Sequence, residues 1–139
     1  MLFVYLLERN PQYAVPVQQI YSRILDRRDR LVTSTFTLGE LLVAPFKTGD
    51  IPLSDAVRGF LNGPDLDLLP LDARAAETYA EIRATTGARP ADAVHLACAA
   101  RANVDLFITN DKRLLGLRVP GIRFFASLDV AIHLLGSPT

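Results

Sequence analysis

Short, continuous apolar runs alternate with helical segments along the chain. The runs that predict strands lie at 31–34, 66–71, 105–109 and 121–125. Apolar residues mostly follow one another in these runs instead of alternating with polar residues. Strands of this kind are typical of a parallel sheet that helices cover on both faces. We therefore expect an α/β fold, formed as one domain over residues 1–139.

Helices are predicted between these runs from apolar residues at helical spacing and from the residues at their ends. The predicted helices cover 2–8, 14–28, 34–49, 53–62, 73–87, 89–103 and 128–135. Asp72 and Ser127 are placed to cap two of them, and a hydroxyl residue is expected to cap the helix that begins at 34. Gly49 and Gly87 are placed to end two helices.

Composition excludes several classes of protein. Lys plus Arg and Asp plus Glu number 15 each, so no overall basic field exists and any nucleic-acid contact must be local. Half of the residues are hydrophobic, which argues against a disordered chain. The one cysteine, Cys98, excludes an intrachain disulfide and is expected to be a small buried side chain in a reducing compartment. No apolar run resembles a signal peptide or reaches membrane-spanning length, so we expect a cytoplasmic protein with no membrane partner.

Three acidic residues stand at the edges of, or within, apolar segments. Asp111 follows the run at 105–109, and sites in parallel sheets form beyond the carboxyl ends of strands. Asp92 lies in the first turn of its predicted helix, and Glu40 lies within the apolar "TLGELLVA". If the three carboxylates converge, their repulsion requires a cation, and oxygen ligands suit Mg2+ or Mn2+. Such an ion could activate a water and stabilise a phosphodiester transition state.

Each acid also has a purely structural interpretation. Asp92 could serve only as a helix-start residue, where the backbone dipole favours negative charge. Asp111 could be a turn residue or the N-cap of "KRLLGL". Glu40 could reach solvent or pair with an arginine. His95, three residues after Asp92, could contact RNA or could be a helix residue whose ring is satisfied internally.

Three segments, "TLGELL", "RPADAVHLACAA" and "LFITNDKRL", occur in the order and at the spacing of a known family. With them the chain resembles the PIN-domain family, in particular the VapC-type toxins, over nearly its whole length. The resemblance implies a three-layer α/β/α sandwich with a mostly parallel central sheet. It also implies a metal-dependent endoribonuclease that uses Mg2+ or Mn2+, with RNA as substrate, a cognate antitoxin as partner and a homodimer as a further expectation.

The resemblance assigns roles to individual residues. By motif position, the metal-binding and catalytic acids are Glu40, Asp92 and Asp111. The resemblance also assigns roles to residues around the "TND" turn at 109–111. Those expected to shape this turn or to contact the substrate are Thr109, Asn110, Lys112 and Arg113. Lys112 and Arg113 lie beside a proposed acid site, where a basic side chain can contact phosphate.

One departure from the family pattern concerns the start of the chain. Family members usually begin with an apolar strand that ends in Asp-Ser or Asp-Thr, and this Asp is a principal metal ligand. Here "MLFVYLLERNP" resembles the segment just after that strand, so we expect the strand and its Asp to be missing. Met1 is interpreted as an internal methionine taken as a start, or as the result of truncation; the alternative is a degenerate member of the family.

This departure supports a second hypothesis, a catalytically impaired PIN fold that binds RNA or an antitoxin. A third hypothesis, a receiver-like phosphoacceptor domain, has only Asp72 of "LDLLPLD" in its favour and ranks far below.

Overall fold

The computed structural model describes residues 14–136, which form seven helices and four strands. The elements in chain order are α1 (Ala14–Arg27), β1 (Val32–Ser34), α2 (Thr35–Thr48), α3 (Ile51–Leu61), β2 (Asp67–Leu69), α4 (Ala73–Thr86), α5 (Pro90–Arg101), β3 (Leu106–Ile108), α6 (Lys112–Leu115), β4 (Phe124–Ala126) and α7 (Leu128–Leu134). The helix predicted at 2–8 lies outside the described residues. None of the helices within 14–136 combines the length and the apolar character needed to cross a membrane.

The chain divides into two compact units, each described by itself below. The major unit comprises 30–104 and 119–121, and the minor unit comprises 14–29, 105–118 and 122–136. That residues 1–139 form one domain stays a prediction.

Local side-chain chemistry explains where several helices begin and end. The Asp72 carboxylate accepts a hydrogen bond from the Ala75 amide at 2.9 Å and so caps α4, as predicted. Ser127 caps α7 in the same way. Gly49 and Gly87 adopt left-handed backbone conformations and end α2 and α4, which confirms both predicted stops.

The strands pair in parallel, which confirms the fold class as mixed α/β with parallel strands. β1 pairs with β2 in the major unit, with Ser34 opposite Leu69, and β3 pairs with β4 in the minor unit, with Phe107 opposite Phe125. The resemblance implied one central sheet, whereas the described strands form two sheets of two strands each. A run of apolar residues indicates burial and parallel pairing, but it carries no information about which strands are neighbours.

Two details of the strands differ from the prediction. Most strand residues are partly exposed rather than covered on both faces, because each described strand has three residues and one paired neighbour. The last strand occupies Phe124–Ala126 and not 121–125. The reason is a turn at Gly121, whose φ of +97° is incompatible with a strand.

The core of the major unit is built on α5. Its buried face consists largely of alanine, and α5 packs against α4 and β1. Leu96 of α5 and Val57 and Leu61 of α3 are among the largest side chains that are fully buried. Small residues let neighbouring backbones approach closely, and Gly121 is the extreme case: a Cβ there would lie 2.4 Å from the Ala100 carbonyl oxygen.

Cys98 of α5 is buried, as predicted. Its thiol lies 3.8 Å from the Pro70 carbonyl oxygen, which it approaches as a donor. Burial raises the pKa of the Cys98 thiol, and the nearby negative charge of Asp72 raises it further. The thiol is therefore protonated near neutral pH and serves as a small apolar core residue.

In the minor unit, α1 is attached to α7 by arginine side chains. The guanidinium groups of Arg23 and Arg27 donate to the carbonyl oxygens of Ile132 and Leu135, at the end of α7. The last carbonyls of a helix have no partner within the helix, and cations are favoured there. The β3–β4 sheet is reinforced by contact between two aromatic rings on opposite strands, with centroids 5.4 Å apart.

Candidate active site

Glu40 lies on α2 and is paired with a histidine from α5. Its Oε1 atom accepts a hydrogen bond from His95 Nε2 at 3.0 Å. The Glu40 side chain is 33% exposed, so it is reached by solvent while being held on one side. The sequence predicted that this acid would need exposure or a partner, but proposed arginine; the partner is His95.

Both ring nitrogens of His95 are engaged. Nδ1 lies 2.8 Å from the Ser34 hydroxyl oxygen, and the Phe36 ring lies 5.6 Å from the imidazole, centroid to centroid. The histidine side chain is only 18% exposed. The interpretation of His95 as a helix residue with a satisfied ring is confirmed.

Ser34 links the end of β1 to this arrangement. It occupies the N-cap position of α2 with an extended backbone, yet its side chain makes no capping hydrogen bond. The predicted hydroxyl cap is wrong in this respect, because the buried Ser34 hydroxyl is committed to His95. Hydrogen bonds thereby link Ser34 of β1, His95 of α5 and Glu40 of α2 within the major unit.

Asp92 lies in the first turn of α5, immediately after the proline-containing start of the helix. Residues three apart on a helix are surface neighbours, so Asp92 shares a face with His95. The Asp92 side chain is half-buried and makes no hydrogen bond or ion pair with any side chain in residues 14–136. Its position fits both the helix-start interpretation and a role beside Glu40.

Asp111 lies in the minor unit and has structural partners. It is the N-cap of α6, where its Oδ1 accepts from the Arg113 amide at 2.9 Å and from Arg113 Nε at 3.0 Å. The other carboxylate oxygen accepts from the same guanidinium. The N-cap interpretation is confirmed. The sequence predicted that Asp111 binds a metal ion, whereas in the structure its charge is paired with the guanidinium of Arg113.

The remaining predicted residues surround this turn. The Thr109 hydroxyl accepts from the Asp111 amide at 3.1 Å, and the Asn110 side-chain oxygen accepts from the Leu128 amide at 3.1 Å. Both side chains hold the turn in shape, while Lys112 is exposed. Contact of these residues with a substrate stays a prediction.

The structure therefore joins Glu40 to His95, beside Asp92, in the major unit, and places Asp111 in the minor unit. Within the described part of the chain, no group of three or more His, Cys, Asp and Glu side chains is arranged to hold a metal ion. A pocket formed by three acids stays a prediction. Sequence reasoning undervalued Ser34. The available signal was a serine at the last position of a short strand, directly before the helix that carries Glu40.

The chain matches a protein-family model. No curated protein and no solved structure matches the chain. The family model described as "PIN domain" matches residues 2–119, which is well over half of the 139 residues and includes both motif-bearing helices. The matched residues include the parallel strand pair β1–β2 and the hydrogen bond between Glu40 of α2 and His95 of α5. The chain belongs to the PIN domain family.

Proposed function

We propose that the chain is a metal-dependent endoribonuclease of the VapC toxin type, with Glu40, Asp92 and Asp111 as the acids that hold Mg2+ or Mn2+. PIN domains are commonly nucleases, so membership of the family supports hydrolysis of a nucleic-acid phosphodiester. The single observation that carries the proposal is the hydrogen bond between His95 Nε2 and Glu40 Oε1. It ties the acid of α2 to the face of α5 that also carries Asp92, three residues before His95.

The donor set fits a hard divalent ion. Within residues 14–136, neither Glu40 Oε2 nor the Asp92 carboxylate accepts a hydrogen bond, and neither acid is paired with lysine or arginine. Carboxylate oxygens are the ligands that Mg2+ and Mn2+ prefer. When bound, the ion would supply Lewis-acid stabilisation of the phosphodiester and an activated water.

The chain's own residues would orient the substrate. Lys112 is exposed beside Asp111 and offers a positive charge to a phosphate oxygen. Arg113 donates to both oxygens of Asp111, so a cation that binds Asp111 must compete with this guanidinium. A released guanidinium is itself well suited to a phosphate group. A cognate antitoxin and a homodimer belong to the same proposal.

Cleavage of a long single-stranded RNA in the presence of Mn2+ tests the proposal. We expect cleavage by the wild type, loss on addition of EDTA, and a fall of about 100-fold or more in Asp92→Asn and Glu40→Gln, as for other losses of electrostatic stabilisation. Asp129→Asn is the matched control, because Asp129 also lies in the first turn of a helix, α7. Equal cleavage by the wild type and Asp92→Asn would refute the assigned site.

The ion pair between Asp111 and Arg113 favours a second candidate, a PIN fold that binds RNA or an antitoxin without cleaving it. A carboxylate that already has a bidentate partner is a poor ligand for a cation. Retention of RNA on a filter with Mn2+ present, together with intact RNA after incubation, would support this candidate over the nuclease.

A further inference from the structure

We propose that His95 is a positioning residue, which orients the Glu40 carboxylate so that one oxygen faces a divalent ion, and that Ser34 fixes the imidazole in the required form. The proposal deepens the proposed function and rests on it. Its basis is the chain of two hydrogen bonds from Ser34 Oγ to His95 Nδ1, at 2.8 Å, and from His95 Nε2 to Glu40 Oε1, at 3.0 Å.

The donors and acceptors of this chain determine where the proton lies. A carboxylate only accepts hydrogen bonds, so His95 Nε2 must carry the hydrogen that faces Glu40. In the neutral ring Nδ1 is then an acceptor, and the Ser34 hydroxyl donates to it. The serine hydroxyl thereby favours the tautomer in which Nε2 is the donor toward Glu40.

The supports of the imidazole are fixed parts of the major unit. Ser34 is 3% exposed and is the last residue of β1, where it lies opposite Leu69 of β2. The Phe36 ring lies near the imidazole at a tilt of 50°. His95 itself lies on α5, whose neighbouring residues Leu96 and Ala97 are fully buried. The ring is therefore held by a strand, a helix and an aromatic contact.

Holding one oxygen of Glu40 limits the freedom of the other. A glutamate side chain has three rotatable bonds, and an unsupported one samples many positions of its carboxylate. The hydrogen bond from His95 Nε2 to Glu40 Oε1 restricts the positions that Glu40 Oε2 can occupy. No residue in the described part of the chain forms a hydrogen bond with Oε2. Partners that orient a ligating carboxylate change metal affinity by about 10–100-fold when they are removed.

Two conservative variants separate orientation of Glu40 from a general structural role. His95→Gln places an amide nitrogen near the position of Nε2, so it can still donate to Glu40. His95→Asn is too short to reach Glu40, but it keeps a polar group where Nδ1 faced Ser34. The readout is binding of Mn2+ itself, followed by the loss of the free-ion electron paramagnetic resonance signal. His133→Asn is the control, since His133 is exposed on α7.

We expect His95→Asn to weaken Mn2+ binding by about 10-fold or more, and His95→Gln and His133→Asn to bind Mn2+ as the wild type does. Circular dichroism and thermal unfolding of all four proteins identify a variant that has lost its fold. Wild-type affinity in His95→Asn, or equally weak binding by His95→Gln and His95→Asn in folded proteins, would overturn the positioning role alone. Absence of Mn2+ binding by the wild type would overturn the positioning role and the proposed function together.

Discussion

Replacement of Gly121 by alanine tests the close contact between the 119–121 segment and the end of α5. The added Cβ would lie 2.4 Å from the Ala100 carbonyl oxygen, and an ordinary contact begins at 3.4 Å. The backbone must therefore move by about 1 Å, a form of overpacking that costs about 1–3 kcal/mol. The φ of +97° adds about 1–3 kcal/mol, because residues with a Cβ are strained there.

The combined loss, about 2–6 kcal/mol, is a large part of the 5–15 kcal/mol that stabilises an ordinary domain. We expect the urea midpoint of Gly121→Ala to fall clearly and its Tm to fall by about 10 °C or more. Gly59→Ala is the matched control: Gly59 lies within α3, and a Cβ there meets nothing within 4 Å. Alanine should raise stability at Gly59 by about 0.5–1 kcal/mol. A Gly121→Ala protein as stable as the wild type would show that the 119–121 segment does not pack closely against the Ala100 carbonyl group.

Two further substitutions test local energetics. Asp72→Ala removes the hydrogen bond to the Ala75 amide, and we expect urea denaturation to show a loss of about 0.5–2 kcal/mol; Glu77→Ala, on the exposed face of the same helix, should change stability little, and equal effects would contradict the capping role. The raised pKa of Cys98 means that the folded state holds its thiol proton more tightly than the unfolded state does. The corresponding stabilisation is complete below the thiol's ordinary pKa and is lost as pH rises through the raised value. Unfolding free energies measured across that alkaline range should fall more steeply for the wild type than for Cys98→Ala, and parallel curves would contradict this linkage.

Helix ends and strand positions could be predicted from sequence because their causes are local. The Asp72 cap depends on a residue and an amide three positions later, and the stop at Gly87 depends on one left-handed residue. The predicted start of the last strand is three residues early, because the cause of the later start is not local. The chain turns at Gly121, which lies close to the Ala100 carbonyl oxygen. A contact between residues so far apart in the sequence cannot be inferred from the spacing of apolar residues.

The candidate site could be predicted only in part. Glu40, Asp92 and Asp111 were identifiable as acids that need an explanation, and the structure gives Glu40 a partner. Which partner it has depends on tertiary contacts, because β1 contacts both α2 and α5, and a ring nitrogen of α5 lies 3.0 Å from the carboxylate. For Asp111, the sequence showed Arg113 two residues away, but it did not indicate that the side chain folds back to form an ion pair.

The alanine face of α5 has a consequence for how this protein can vary. Ala93 and Ala97 are completely buried, and neighbouring Ala100 is nearly so, where a larger side chain would push against closely packed backbone. Mutational drift along this helix is thus confined to glycine, alanine, serine and cysteine at these positions. A saturation library should show α5 as the least tolerant stretch of the chain, even if every proposed catalytic role were removed.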